Sequence, residues 1–197
     1  MLLLGQAPSR QGSNRRMPAR PFLIGLISDT HGLVRPEVAR VLAGADLIVH
    51  AGDVGGPGVL AALAEIAPVE AVYGNVDDAN DPRLARDRVI PIAGLTLHVS
   101  HGHELGRPTP ELLLARYKGD VLVFGHTHRP VVAVAAGGAA PSYPLERTRV
   151  PMVGGGAMRI VVNPGAAGPR RFDLRASVAT LTIATGSVEV EIIALGS

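Results

Sequence analysis

Asp29 and His31 stand two residues apart at the end of an apolar run, in the stretch Ile27-Ser28-Asp29-Thr30-His31-Gly32. In an extended chain residues two apart share a side, so a carboxylate and an imidazole at this spacing can both reach one point just beyond the strand. Such a pair starts a metal site, and it is equally an ordinary polar turn. The choice depends on whether other strands end in the same chemistry, and four do. Gly52-Asp53 follows the run 47–50, Gly74-Asn75-Val76-Asp77 follows 69–73, His101-Gly102-His103 follows 95–100, and Gly125-His126-Thr127-His128 follows 121–124. Each cluster alone reads as a turn. Five apolar runs that all close in oxygen and nitrogen ligands are more than turn chemistry supplies, and ligands at strand ends converge in α/β sheets. With no cysteine in the chain, thiolate ligands, a thiol nucleophile and disulfides are excluded together.

The elements that must carry these residues follow from the apolar pattern. Strand and helix signals alternate over 22–28, 35–43, 47–50, 57–66 and 69–73, a β-α-β-α-β rhythm. A strand at 95–100, a helix at 110–117 opened by Thr109 and Pro110, and a strand at 121–124 follow. Strands near 131–135, 150–153, 159–162, 176–184 and 187–193 then come without clear helices, the last two joined at Thr185-Gly186 as a hairpin. Helix-linked strands first and antiparallel ones later predict two sheets packed face to face with the helices outside. Segments 136–144 and 154–157 read as loops, and the pocket walls fall on 78–88, 104–109 and 136–157. His50 and His98 lie within apolar strands, away from the ends, and are expected to be hydrogen-bonded core histidines.

The 197 residues suit one domain, 21–197, with a full core, and residues 1–20 read either as a disordered extension or as a misassigned start ahead of Met17. Nearly half of the residues are hydrophobic and only 3% aromatic, so the core rests on Val, Leu, Ile and Ala. A pI near 9.5 looks like a nucleic-acid signal. However, Arg10, Arg15, Arg16 and Arg20 all precede the first strand, and setting those four aside leaves 15 basic residues against 17 acidic ones. Specific nucleic-acid binding is not expected. No secretory signal or membrane span is read, so a cytoplasmic location is expected. An oligomer is open.

The series Asp29-x-His31, Gly52-Asp53, Gly74-Asn75, His101 and Gly125-His126-x-His128 resembles the calcineurin-like metallophosphoesterase superfamily. The short length, Gly74-Asn75-x-Asp77 without a histidine, and Asn163-Pro164-Gly165 are similar to its small phosphodiesterase branch, which also holds the retromer scaffold subunit. The likeness covers roughly 22–194. It implies an α/β fold, a four-layer α-β-β-α sandwich of two mixed sheets face to face with helices outside. It also implies two divalent metal ions, manganese first, with iron, cobalt, zinc or nickel as alternatives that N/O ligation suits. By motif, Asp29, His31 and His128 would hold one ion, Asn75, His101 and His126 the other, and Asp53 would bridge them, with Asp77 and Asn163 supporting the ligands from behind. Two such ions about 3.5–4 Å apart would hold a bridging hydroxide for in-line attack on a small phosphodiester. His103 would assist a phosphoryl oxygen or the leaving group, or is simply an exposed turn histidine.

Two positions depart from the pattern. Val76 stands where many larger relatives place a histidine that protonates the leaving group, and Ala166 stands where the branch often has serine. The segment from His128 to Asn163 is longer than usual for the branch and could form a flap over the site. A non-catalytic protein-binding scaffold of the same fold is the alternative, and that reading expects ligand positions to be lost, whereas all seven are present. An amide hydrolase would show a different order of strands and ligands.

Overall fold

The computed structural model describes residues 20–143, 147–151, 158–170 and 173–196. The expected N-terminal extension, apart from Arg20, and the 154–157 loop lie outside the described residues. Arg20 forms an ion pair with Asp46, whose Oδ2 also accepts the Leu23 N–H at 2.9 Å.

Among the described residues eleven strands form two sheets. In chain order they are β1 (Phe22–Ile27), β2 (Leu47–His50), β3 (Val69–Ala71), β4 (Asp87–Ile92), β5 (Leu95–Ser100), β6 (Val121–Val123), β7 (Val131–Ala136), β8 (Arg147–Pro151), β9 (Met158–Asn163), β10 (Ser177–Ala184) and β11 (Ser187–Ala194). The six-stranded sheet runs β3-β2-β1-β10-β11-β8 and the five-stranded sheet β4-β5-β6-β9-β7. Each is mixed, with a parallel block, β1-β2-β3 in one and β5-β6-β9 in the other. Parallel pairing places all the C-terminal ends of a block on one side, and those ends carry the predicted ligands.

Alternation along each strand divides the core into layers. Ile24, Leu26 and Val49 face Leu97, Val123 and Val162 between the sheets. On the outer side of the first sheet, Ile27 and Ile48 pack with Val38 of α1 (Pro36–Val41), Leu42 that caps it and Leu63 of α2 (Pro57–Ala64). On the outer side of the second, Leu122, Phe124 and Val161 pack on Leu113 of α3 (Pro110–Arg116). Proline opens the first turn of each of these helices, where its missing N–H costs nothing. The result is the expected α-β-β-α order with thin helical layers, and each fully buried aliphatic side chain contributes about 1.5–3 kcal/mol.

Two segments differ from the sequence reading. Residues 87–92, expected to be pocket loop at their start and unassigned beyond it, form β4, paired antiparallel with β5. Of the segment 136–144, expected to be a loop, the described residues 136–143 begin with the last residue of β7 and fold back so that Val134 and Ser142 exchange backbone hydrogen bonds of 2.9 and 2.8 Å.

Candidate metal centre

The strand ends do not simply unravel. Past β1 and β2 the pairing continues as Asp29 N–H to Gly52 O at 2.9 Å, His31 N–H to Asp53 O at 3.0 Å and Gly32 N–H to Val54 O at 2.8 Å. Within this irregular ladder Asp29, His31 and Asp53 take positive φ (53°, 46° and 54°), as do His126 and His128 (66° and 58°) beyond β6. Among the described residues the one other non-glycine with positive φ is Ala93, in the β4–β5 turn. The left-handed region is sparse for side-chain-bearing residues, with Asp, Asn and His among those that tolerate it. Here it turns five ligand-type side chains into one crevice.

Asp29, His31, Asp53 and His128 offer ligand atoms that all lie within 4.8 Å of one another. His31 Nε2 is 3.5 Å from His128 Nε2 and 3.8 Å from Asp53 Oδ2, and His128 Nε2 is 3.2 Å from Asp29 Oδ1. Asp29 is fully buried, its Oδ1 accepts the His126 N–H at 3.3 Å, and its Oδ2 has no hydrogen-bond partner among the described residues. An orphaned buried carboxylate oxygen costs several kcal/mol unless a cation or donor meets it. Two imidazole nitrogens and two carboxylates, one of them with an oxygen left unpaired, fit a divalent cation.

The other predicted ligands meet beside the first group. The Ala51 carbonyl accepts from His101 Nδ1 at 2.8 Å, so Nε2 faces the crevice, 3.3 Å from both Asp53 Oδ1 and Asn75 Oδ1. His126 Nδ1 lies 3.0 Å from the same Asn75 oxygen while its Nε2 donates to Gly106 O at 3.1 Å. Asp53 thus touches both groups. Burial alone would raise its pKa, but the hydrogen bond and charge of His101 and the Val76 N–H at 3.1 Å outweigh it and hold the carboxyl at about 2. For His101 burial pulls down, and the Asp53 hydrogen bond with the Asp29 and Asp53 charges raises it on balance. Room for this arrangement requires Gly74, where an added Cβ would come within 2.0 Å of Asp53 Oδ1.

Asp77 and Asn163 brace the loops. Asp77 accepts backbone N–H groups of Val54, Gly55 and Gly74 at 3.0, 2.8 and 2.8 Å, tying the Asp53 loop to the Asn75 loop. Asn163, closing β9, donates to Gly125 O and Thr127 Oγ1 at 2.8 and 3.0 Å and accepts from Gly165 N at 2.9 Å. His50 is the hydrogen-bonded core histidine expected, but its role in joining two ligand loops was not read from the sequence. It is the last residue of β2 rather than a mid-strand residue, and it is fully buried. Its Nδ1 accepts from Gly52 N at 3.2 Å, so Nε2 donates to Thr30 Oγ1 at 2.8 Å, and that hydroxyl passes on to Val54 O at 2.9 Å. Burial pushes its pKa down to about 4, so a neutral ring links the Asp29–His31 loop to the Asp53 loop. A histidine directly before Ala51-Gly52-Asp53 was the available signal.

His103 lies at the rim, its ring 5.3 Å from His101 and 6.3 Å from His126. Burial, and then the His101 charge, lowers its pKa. Val76 is half exposed beside Asp53 and offers no proton. His98, away from the crevice, stacks on Tyr117 at 4.1 Å and lies 3.4 Å from Asp87, as expected of a structural histidine.

Two mixed sheets face to face, with carboxylates and imidazoles gathered beyond their parallel blocks, define the class of the metallophosphoesterases. Residues 22–186 match the family model described as the calcineurin-like phosphoesterase superfamily domain, and the chain belongs to that superfamily. It is 39% identical over 121 residues to a protein of Methanothermobacter thermautotrophicus named "Probable metallophosphoesterase", covering 56% of this chain and 69% of that one. It is 36% identical over 129 residues to the phosphodiesterase YfcE of Escherichia coli, covering 53% and 68%. The solved structure of YfcE superposes with a TM-score of 0.55 at 26% identity over 89% of this chain and all of that one. The vacuolar protein sorting 29 structure of Cryptosporidium parvum gives 0.68 at 21% identity over 90% and 93%, a likeness of fold.

Proposed function

We propose that the chain is a metal-dependent phosphodiesterase that works with two divalent cations, manganese first, held by Asp29, His31 and His128 on one side, Asn75, His101 and His126 on the other, and Asp53 between. The observation that carries this reading is that Asp29, His31, Asp53 and His128 offer ligand atoms within 4.8 Å of one another, while Asp29 keeps a buried oxygen without a hydrogen-bond partner among the described residues. Bound divalent cations supply a nucleophile from water at neutral pH and neutralise charge on phosphoryl oxygens. Asp53 keeps its negative charge throughout, because its pKa of about 2 lies far below neutrality. His103 is neutral at that pH and presents an N–H to a phosphoryl oxygen at the rim.

In the reaction a water oxygen bonds to phosphorus as the P–O bond to one arm breaks, and the water proton leaves with the departing oxygen or to solvent. Val76 decides which esters suffer least from this arrangement. A general acid is worth about 10²–10⁴-fold where the leaving group is a poor one. An aryl phosphodiester releases a stable phenolate without it. Assays of purified protein with manganese on bis(para-nitrophenyl) phosphate and para-nitrophenyl phosphate test this. The diester should have the higher kcat/KM, and His103→Ala should lower kcat more than metal affinity. A monoester rate equal to or above the diester rate overturns the diesterase assignment. The fold likeness to vacuolar protein sorting 29 supports a protein-binding scaffold as the alternative, and metal-dependent turnover of either ester removes it.

A further inference from the structure

A cavity of about 570 Å³ adjoins the metal centre, with His126 in its wall. The Gly106 carbonyl that accepts from His126 Nε2 at 3.1 Å fixes the loop bearing Arg107 against that end. Arg129, one residue beyond the ligand His128, lines the same space, as do Phe124, Glu111 and Tyr143. Arg107 and Arg129 are both exposed, and neither has an ion-pair partner among the described residues. The single acid in the wall, Glu111, is engaged by the Tyr143 hydroxyl. That bond pins the tyrosine at the groove while the residue as a whole stays 54% exposed. The groove therefore offers two free guanidinium groups and an open aromatic face, starting at a candidate metal ligand.

We propose, building on the phosphodiesterase reading, that this groove holds one arm of the diester, and that this arm is nucleotide-like, carrying a planar ring and a phosphate of its own. Guanidinium forks match phosphate oxygens in pairs, which a lone aryl diester cannot use. A base can stack on the Tyr143 ring irrespective of its identity. The volume lies in the range of sites for molecules of that size.

The test compares diadenylate with its terminally phosphorylated form, two diesters that differ by one phosphate, in the manganese-loaded protein. The phosphorylated compound should be preferred in kcat/KM by about tenfold, the scale of a charge-assisted contact, and Arg107→Ala/Arg129→Ala should bring that ratio close to one. A wild-type ratio of one, or a ratio unchanged in the double variant, overturns the groove assignment, even if bis(para-nitrophenyl) phosphate is hydrolysed. If no diester is hydrolysed, the phosphodiesterase reading falls separately, and binding decides the groove. Calorimetry of adenosine monophosphate with chelator-treated protein should then show saturable binding that weakens about tenfold in the double variant. Absence of binding, or equal binding by both proteins, overturns the proposal.

Discussion

The two halves of the candidate metal centre each bring two histidines and share Asp53, and they differ in one residue, Asp29 against Asn75. Asp29 is a fully buried carboxylate, with an oxygen that no described residue satisfies. Asn75 is exposed and neutral, and its one amide oxygen already lies within 3.3 Å of both His101 and His126. Carboxylate count and burial, rather than the number of imidazoles, should therefore set the order of filling, because charge attraction strengthens as solvent is excluded. The His31–His128 side is expected to fill first and the Asn75 side second.

The largest effect should come from the residue common to both halves. Asp53→Asn is expected to lower hydrolysis by more than about 100-fold, beyond the loss usual for a partner of a ligand, and to weaken both metal steps while far-ultraviolet circular dichroism stays native. Near-normal turnover under limiting manganese would break the two-ion scheme. The next test separates the halves. Manganese titration of the chelated protein should show two steps. Asp29→Asn should weaken the stronger by about 10–100-fold, and Asn75→Asp should draw the two together. If Asp29→Asn spares the stronger step, the order of filling is reversed.

A smaller effect is expected at Asp77, which touches no ligand atom. Asp77→Ala leaves three backbone N–H groups without their acceptor, so thermal unfolding should report a loss of about 1–3 kcal/mol. The weaker metal step should shift more than the stronger, since Asp77 holds the Gly74–Asn75 turn. The last test concerns Asp53 in chelated protein. A folded pKa of about 2 against about 3.9 unfolded gives stability that is complete above about pH 4 and is lost as pH falls through 2. Urea unfolding between those values should show roughly 2 kcal/mol of pH-dependent loss that Asp53→Asn lacks.

Much of this centre could be read before folding because its ligands sit where apolar runs stop, and a run of Val, Leu and Ile is legible as a strand. Asn163 entered only through the family resemblance, as part of Asn163-Pro164-Gly165, although it closes β9 much as other strand ends carry the ligands. β4 was not legible, since Asp87-Arg88-Val89-Ile90-Pro91-Ile92 mixes charge and proline into a half-buried edge strand, where an unpaired flank tolerates both. His50 was legible as a core histidine of the run 47–50, but its role was not, because the bonds that join two ligand loops through its ring run to Gly52 and Thr30, partners that only the folded chain brings to it. The backbone twist at the ligands leaves no mark in a pattern of polar and apolar residues.

That twist also governs how the chain can drift. A position with φ near +50° to +66° accepts aspartate, asparagine, histidine or glycine at small cost and resists valine, isoleucine and threonine, whose branched Cβ crowds the neighbouring carbonyl. Descendants that give up a ligand at 29, 31, 53, 126 or 128 should therefore pass through asparagine or glycine. In such a lineage the hollow keeps its shape after its chemistry has gone, leaving a preformed concave surface that selection can turn to other uses.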